Sequence, residues 1–139
     1  NVVPASEMPS FERFINDKTA IIAVSQSGET ADVLEILERG KKAGAKILAL
    51  TNVESSSMAR LADVHIPINA GPEKAVASTK ATTAQMAILF LLAYADAGKL
   101  NLGREILSGT ASAINDLINP RYENYVKDVA GKILNQKSL

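Results

Sequence analysis

The sequence contains no cysteine and no tryptophan, and it has a single histidine, His65. Without cysteine the chain can form neither a disulfide framework nor a thiolate metal site. One histidine also excludes a zinc site built from several imidazoles. The lack of cysteine is typical of proteins from a reducing compartment, so we expect a cytoplasmic protein.

Neither sign of charge dominates, because 15 lysine and arginine residues balance 15 aspartate and glutamate residues. A nucleic-acid-binding domain usually has a clustered basic face, so we expect no nucleic-acid partner. The longest apolar run, residues 86–95, is well short of the roughly 20 residues of a membrane-spanning helix, and we expect no membrane partner. The first residues show neither an initiator methionine nor a signal-peptide pattern, which favours a piece of a longer protein.

Apolar runs and helical patterns alternate along the first part of the chain. Three short apolar runs are typical of strands buried on both faces, and helical spacing follows each of the first two. This alternation predicts a doubly wound α/β fold, a three-layer α-β-α sandwich around a parallel sheet, with helices at the C-terminal end. The predicted strands are residues 19–24, 46–51 and 64–68, and the predicted helices are a short one from Ser6 or Ser10, then 30–43, 57–62, 79–97, 104–118 and 121–135.

A loop rich in hydroxyl groups connects the first predicted strand to the helix after it. We call Ser25-Gln26-Ser27-Gly28-Glu29-Thr30 the hydroxyl loop. Backbone N–H groups at a helix N-terminus and nearby hydroxyls are suited to binding a phosphate, and a glycine lets the backbone approach the anion. The alternative is a loop whose serine and threonine side chains only cap the helix.

A second polar turn, residues 73–80, follows the third predicted strand after Gly71-Pro72 and opens the helix at 79–97. Together with the preceding Ala70-Gly71-Pro72, we call it the second turn. Because the carboxyl ends of parallel strands lie at one edge of the sheet, we expect this second turn and the hydroxyl loop to line the same pocket. Two such turns together favour phosphate binding over simple capping. For Lys80 alone, a solvated lysine in the first helical turn is the favoured interpretation.

The titratable side chains offer no convincing catalytic group. His65 could serve acid–base chemistry, but its place in the middle of a predicted strand favours a structural histidine. Asp32, Glu35 and Glu38 lie on the polar face of the helix at 30–43, where solvated carboxylates are expected.

Three stretches together closely resemble the sugar isomerase (SIS) family. They are the hydroxyl loop, Ala70-Gly71-Pro72-Glu73, and Val76-Ala77-Ser78-Thr79-Lys80-Ala81, and the resemblance covers residues 2–98. It implies that the phosphate is held by Ser25, Gln26, Ser27, Gly28 and Thr30. It also implies sugar contacts by Val76, Ala77 and Ser78, with Thr79 and Lys80 as further candidates. Glu29 matches the family but would repel a phosphate, so we expect it to point away.

The second and third stretches are most similar to the branch of the family that makes glucosamine 6-phosphate from fructose 6-phosphate and glutamine. The resemblance implies a sugar phosphate as ligand (fructose 6-phosphate, glucosamine 6-phosphate or glucose 6-phosphate), no cofactor and no metal. The predicted helix at 79–97 is apolar on almost all sides, so we expect it to be buried either in the core of this domain or between subunits. This helix and the C-terminal helices offer more apolar surface than a chain of this size covers, which favours a homodimer. We place the SIS domain at residues 1–100, without the family's first strand and helix, and linking helices at 101–139. The catalytic groups would lie in a second SIS repeat, and a glutaminase domain would precede this one, so the chain alone should be inactive.

Three alternatives stay open at this point. One is a stand-alone SIS enzyme, either a phosphosugar isomerase or a glucosamine-6-phosphate deaminase. Another is a non-enzymatic sensor of sugar phosphates that regulates a partner. The last is an unrelated doubly wound domain of the receiver or flavodoxin-like type, although a receiver needs acidic residues where this chain has Ser25.

Overall fold

The computed structural model describes residues 1–74, 78–118 and 120–134. Its sheet has three parallel strands in the order β1-β2-β3, namely β1 (Ala20–Ser25), β2 (Lys46–Thr51) and β3 (Val64–Pro67). The register aligns Ala20 with Lys46 and Leu48 with Val64. All three strands therefore end at the same edge of the sheet, and the loops that follow β1, β2 and β3 share that edge.

Helices connect and follow these strands, which confirms the predicted α/β class. A ten-residue 3₁₀ helix precedes β1. Two helices connect the strands, and three more lie toward the C-terminal end. The 3₁₀ helix is Ala5–Phe14, and the α-helices are α1 (Ala31–Lys42), α2 (Ser57–Leu61), α3 (Thr79–Asp96), α4 (Leu100–Leu117) and α5 (Pro120–Ile133).

The hydrophobic core lies between one face of the sheet and helices α1 and α2. Successive side chains of a strand point to opposite faces, so Ala23 of β1 and the alternate residues Ile47 and Ala49 of β2 share one face. They pack with Leu37 of α1 and Met58 of α2, which are 1% and 0% exposed. This packing fixes the start of α1 and of α2 relative to the carboxyl edge of the sheet.

Helix α3 differs from the expectation of a buried helix. Ala81 is its one buried residue among those the structure describes, whereas Met86 is 66% exposed. Apolar residues surround this helix on all sides, so contact with one packed face cannot cover them all. Burial of α3 in the core of this chain is therefore not observed, and burial between subunits stays a prediction.

The chain divides into two compact units, Asn1–Leu89 and Phe90–Leu139. The first contains the sheet and both predicted turns. In the second, Gly103 of α4 packs on Tyr94, and a Cβ at that position would lie 2.9 Å from the Tyr94 Cβ. Across the described ranges, every helix is too short or too polar to span a lipid bilayer.

Candidate functional site

The hydroxyl loop lies at the carboxyl end of β1, directly before α1. The Ser25 side chain is nearly buried and accepts a hydrogen bond from the Gly28 N–H, with 3.0 Å between nitrogen and oxygen. Its Oγ also lies 3.1 Å from the Thr30 Oγ1. Thr30 is the N-cap residue of α1, yet its side chain makes no capping hydrogen bond. The Thr30 hydroxyl thus closes the loop on Ser25 and leaves the first-turn N–H groups of α1 to another acceptor, as an anion site requires.

Gln26 and Ser27 occupy the middle of the loop, and both are half-buried. The Ser27 Oγ accepts the Glu29 N–H at 3.2 Å, and the Gln26 carbonyl accepts the Asn52 N–H at 3.1 Å. These bonds fold the loop over the edge of the sheet. Ser25, Gln26, Ser27, Gly28 and Thr30 are thereby brought together in one turn.

Gly28 is buried where the loop contacts the segment between β2 and α2. Its φ is +68°, and a Cβ at this position would lie 2.3 Å from the Ser56 Oγ and 3.0 Å from the Thr51 Cγ2. Its carbonyl accepts the Met58 N–H at 3.1 Å. Glycine is required here both for the backbone conformation and for the close approach.

Glu29 serves the neighbouring helix α2. Its Oε1 accepts the Ser57 N–H at 2.7 Å, at the first residue of α2. Hydrogen bonds from Ser57, first its backbone N–H and then its side chain, lower the pKa of Glu29, with a further contribution from the Arg60 charge. The carboxylate is thus bound at the N-terminus of α2, in keeping with the expectation that it points away from a phosphate at α1.

The second turn is tied to the beginning of α3. The Lys80 Nζ donates to the Pro72 carbonyl, and the Glu73 Oε2 accepts the Ala81 N–H at 3.3 Å. Half-buried Ser78 has a φ of +51°, which is uncommon for a residue other than glycine. Lys80 is exposed, in keeping with the expected first-turn lysine, and its ammonium also braces the turn.

The other predicted sugar-contacting residues have different outcomes. Thr79 is the first residue of α3, and its carbonyl accepts the Thr83 hydroxyl at 3.2 Å. Val76 and Ala77 lie outside the described residues. Their roles stay predictions.

Asn52 is a residue of this edge that the sequence interpretation missed. Its Nδ2 donates to the Gly71 carbonyl at 2.8 Å, and its Oδ1 accepts the Ala70 N–H at 2.9 Å. Its backbone N–H binds the Gln26 carbonyl. The available signal was its position directly after a buried strand, at the edge where α/β proteins bind ligands.

A polar network lies next to this edge, inside the domain. The His65 Nε2 is 2.9 Å from the Oγ1 of fully buried Thr51, which is 3.4 Å from the Ser56 Oγ. His65 thus has a structural partner, as expected. Within the described ranges, no three histidine, aspartate or glutamate side chains group together as metal ligands.

The carboxylates of α1 are exposed, as expected for a solvated face, and one of them forms an ion pair. Asp32, Glu35 and Glu38 are all exposed. Glu35 pairs with Arg39, which also bonds the Glu12 carboxylate at 2.6 Å. The Arg39–Glu12 ion pair connects α1 to the 3₁₀ helix.

The SIS domain model matches residues 1–95, a span that includes both the hydroxyl loop and the second turn. The chain belongs to the SIS domain family. The resemblance of the three stretches is therefore confirmed, and the unrelated receiver or flavodoxin-like domain is excluded as an alternative.

Curated relatives of this SIS domain include glutamine–fructose-6-phosphate aminotransferases (isomerizing). The enzyme of Thermococcus kodakarensis is 51% identical over 83 residues, which is 60% of this chain and 14% of that enzyme. The enzyme of Halalkalibacterium halodurans is 46% identical over 123 residues, or 84% of this chain and 20% of that enzyme. The matched part of the chain therefore spans no more than a fifth of the length of these two relatives.

A solved structure with the same fold comes from Escherichia coli CFT073 and contains A5P. It superposes on this SIS domain with a TM-score of 0.53 and 27% sequence identity, covering 73% of this chain and 53% of that chain. The likeness supports the α/β class seen in the sheet order.

Proposed function

We propose that this SIS domain binds the sugar phosphate in the isomerase part of a glutamine–fructose-6-phosphate aminotransferase. The observation that carries the proposal is the hydroxyl loop, which is closed by Ser25 and Thr30 at the uncapped N-terminus of α1. The identity of 51% to the T. kodakarensis aminotransferase supports this enzyme over a stand-alone isomerase, a deaminase or a sensor. The E. coli relative with A5P supports a ligand of this general kind.

The proposed site divides the ligand between two turns. First-turn N–H groups of α1, with Ser25, Gln26, Ser27, Gly28 and Thr30, bind the phosphate. The helix dipole favours the negative charge there, and no lysine is needed in the hydroxyl loop. Val76, Ala77 and Ser78 contact the sugar hydroxyls, and Thr79 and Lys80 lie next to them in the sequence.

The contribution of this domain to the reaction is positioning. In the parent reaction, ammonia from glutamine condenses with the ketone of fructose 6-phosphate to form an imine with loss of water, and a proton then moves from C1 to C2. A phosphate held at the hydroxyl loop fixes C1 and C2 relative to a base outside this chain, which lowers the entropic part of the barrier. We assign no catalytic group to this chain and expect it to be inactive alone.

The proposal includes the surroundings of the domain. Residues 1–100 form the SIS domain, and residues 101–139 link it to a second SIS repeat. A glutaminase domain belongs to the same parent enzyme. We further propose that the enzyme is cytoplasmic and that this chain pairs with a second copy.

Amide NMR titration of the chain tests the proposal. Glucosamine 6-phosphate should shift the amide signals of the hydroxyl loop and of the second turn together, whereas glucosamine should shift neither. Thr30→Val removes one hydroxyl at constant size and should weaken phosphosugar binding about tenfold, since a hydrogen bond to a charged group contributes roughly 1.5 kcal/mol.

Thr110→Val is the matched control. Thr110 is an exposed threonine of α4 whose hydroxyl bonds the Ile106 carbonyl of its own helix at 2.9 Å. This variant should bind the phosphosugar as the wild-type chain does. Shifts with glucosamine equal to those with its phosphate, or no shifts at either turn in a folded sample, would contradict the proposal.

A further inference from the structure

Asn52 forms hydrogen bonds to both turns of the proposed site. Its backbone N–H donates to the Gln26 carbonyl of the hydroxyl loop at 3.1 Å. Its side chain uses both polar atoms on the second turn, the Oδ1 with the Ala70 N–H and the Nδ2 with the Gly71 carbonyl. One half-buried amide thus binds Ala70 and Gly71, which lie 18 and 19 positions after Asn52 in the sequence.

The hydrogen bonds continue from Asn52 to the beginning of α3. Beyond Gly71, the Pro72 carbonyl accepts the Lys80 ammonium, and the Glu73 carboxylate accepts the Ala81 N–H. A continuous path therefore connects the loop before α1 with the first turn of α3. Asn52 is the member of this path that joins the loop after β2 to the turn after β3.

We propose that Asn52 is a positioning residue that holds Ala70 and Gly71, at the beginning of the second turn, next to the hydroxyl loop and so makes the site select phosphosugars over bare phosphate. This inference rests on the proposed function. A phosphosugar must reach both turns at once, whereas inorganic phosphate needs only the hydroxyl loop. A turn released from Asn52 would contact the sugar in fewer molecules of the ensemble, and the sugar would then add less to the affinity.

The backbone bond makes this effect separable from damage to the hydroxyl loop. The Asn52 N–H to Gln26 bond uses no side-chain atom, so we expect it to persist in a leucine variant. Asn52→Leu keeps the approximate size of the side chain, adds no charge near the phosphate, and removes both bonds to the second turn. Phosphate binding should therefore survive while the contribution of the sugar falls.

The matched control is Asn16→Leu. Asn16 is another asparagine that braces a turn, since its Oδ1 accepts the Lys18 N–H at 2.9 Å and its Nδ2 donates to the Phe14 carbonyl at 3.4 Å. It precedes β1 and therefore lies toward the opposite edge of the sheet. Weaker ligand binding that follows from general destabilisation should appear in both variants. A loss of selectivity for the phosphosugar should appear only in Asn52→Leu.

The experiment measures Kd for glucosamine 6-phosphate and for inorganic phosphate in the wild-type chain and in both variants. We expect the Kd for phosphate divided by the Kd for glucosamine 6-phosphate to fall about tenfold in Asn52→Leu, which is the effect of losing two modest hydrogen bonds. The same ratio should stay unchanged in Asn16→Leu. If leucine prevents folding, Asn52→Ala takes its place. Failure of both to fold would make Asn52 a determinant of the fold and overturn a role in positioning.

Other outcomes separate this inference from the proposed function. A wild-type chain with no preference for the phosphosugar removes the proposed function and the inference with it. A selective wild-type chain together with an equally selective Asn52→Leu variant overturns the inference alone. Equal weakening of both ligands in Asn52→Leu also overturns it, because Asn52 would then support only the hydroxyl loop.

Discussion

Gly28 shows how a single residue determines the shape of the hydroxyl loop. Two separate constraints meet there, a φ of +68° and a space that the Ser56 and Thr51 side chains already occupy. The glycine also donates its N–H to the Ser25 Oγ. Any side chain at this position must therefore distort the backbone, displace the β2–α2 segment, or both.

Gly28→Ala should lower the free energy of unfolding by about 2–5 kcal/mol. A positive φ costs an alanine about 1–2 kcal/mol, and crowding of a packed site adds about 1–3 kcal/mol. Urea denaturation of the variant and the wild-type chain measures the difference. Phosphosugar binding should weaken as well, because the Ser25–Gly28 bond shapes the loop.

Gly71→Ala is the comparison that separates the two costs. Gly71 has nearly the same φ, +69°, but among the residues that the structure describes a Cβ there would meet only the flexible end of the Lys80 side chain, at 3.9 Å. The free energy of unfolding of Gly71→Ala should therefore fall by only about 1–2 kcal/mol. Equal losses for the two variants would show that the Ser56 contact is unimportant.

Residues of the site differ in how far the sequence predicts them. Gly28 is predictable because its neighbours in the sequence already describe a tight turn before a helix. Asn52 is not, because its side-chain bonds reach residues 18 and 19 positions away, and only the folded sheet brings them together. Glu29 is intermediate, since its repulsion of a phosphate predicts that it points away but not that it binds Ser57.

At the scale of elements, α2 is too short to be stable by itself. It has five residues, and isolated helices of that length do not persist in water. Ser56 caps it by accepting the Ala59 N–H at 3.3 Å, Glu29 accepts the Ser57 N–H, and fully buried Met58 anchors it to the core. Tertiary contacts, and not helix propensity, therefore define this element.

Glu29→Gln should remove a pH-dependent part of the stability. Ser57 lowers the pKa of Glu29 below its ordinary 4.5 in the folded chain, so the ionised carboxylate stabilises the fold. This contribution is complete above the unfolded pKa and disappears as the pH falls through the lowered folded pKa. The stability gap between wild type and variant, measured by urea denaturation, should be widest near neutral pH and narrow in acid below pH 4.5.

The control is Glu38→Gln, the same substitution at an exposed position of α1. The comparison of the two variants separates the loss of the Ser57 hydrogen bond from the loss of one carboxylate charge. A gap for Glu29→Gln that stays constant into acid would contradict the assignment of the Ser57 hydrogen bond as the cause.

The elements themselves are predicted unevenly. Strand β2 is observed at its predicted bounds, because a buried apolar run between a glycine turn and a polar loop is a strong local pattern. Helix α4 begins at Leu100, four residues before its predicted start at 104, since its N-cap Lys99 makes no side-chain cap that the sequence could signal. The first helix is 3₁₀ and contains Pro9, which has no N–H to donate to a regular α-helical bond.

At the scale of the whole molecule, large apolar side chains remain exposed on several elements. Ile22 of β1 and Val64 of β3 are 54% and 53% exposed on the sheet face opposite the core. Met86 of α3 and Tyr125 of α5 are 66% and 61% exposed. Ile22 and Val64 both pair with Leu48, so they lie in one row of the sheet, and an exposed apolar sheet face is typical of a surface that binds another protein chain.

We expect the chain to self-associate, in line with the proposed homodimer. Sedimentation velocity should show a mass that rises with concentration toward twice the 14.7 kDa of one chain. Ile22→Lys places a charge on the exposed sheet face and should shift the equilibrium toward the monomer, since burying an unpaired charge at an interface is costly. Val53→Lys, at a loop position that is 39% exposed, controls for the added charge itself. A monomeric mass at every concentration would contradict the homodimer, whereas dimers unaffected by Ile22→Lys would move the interface from the sheet face to the helices.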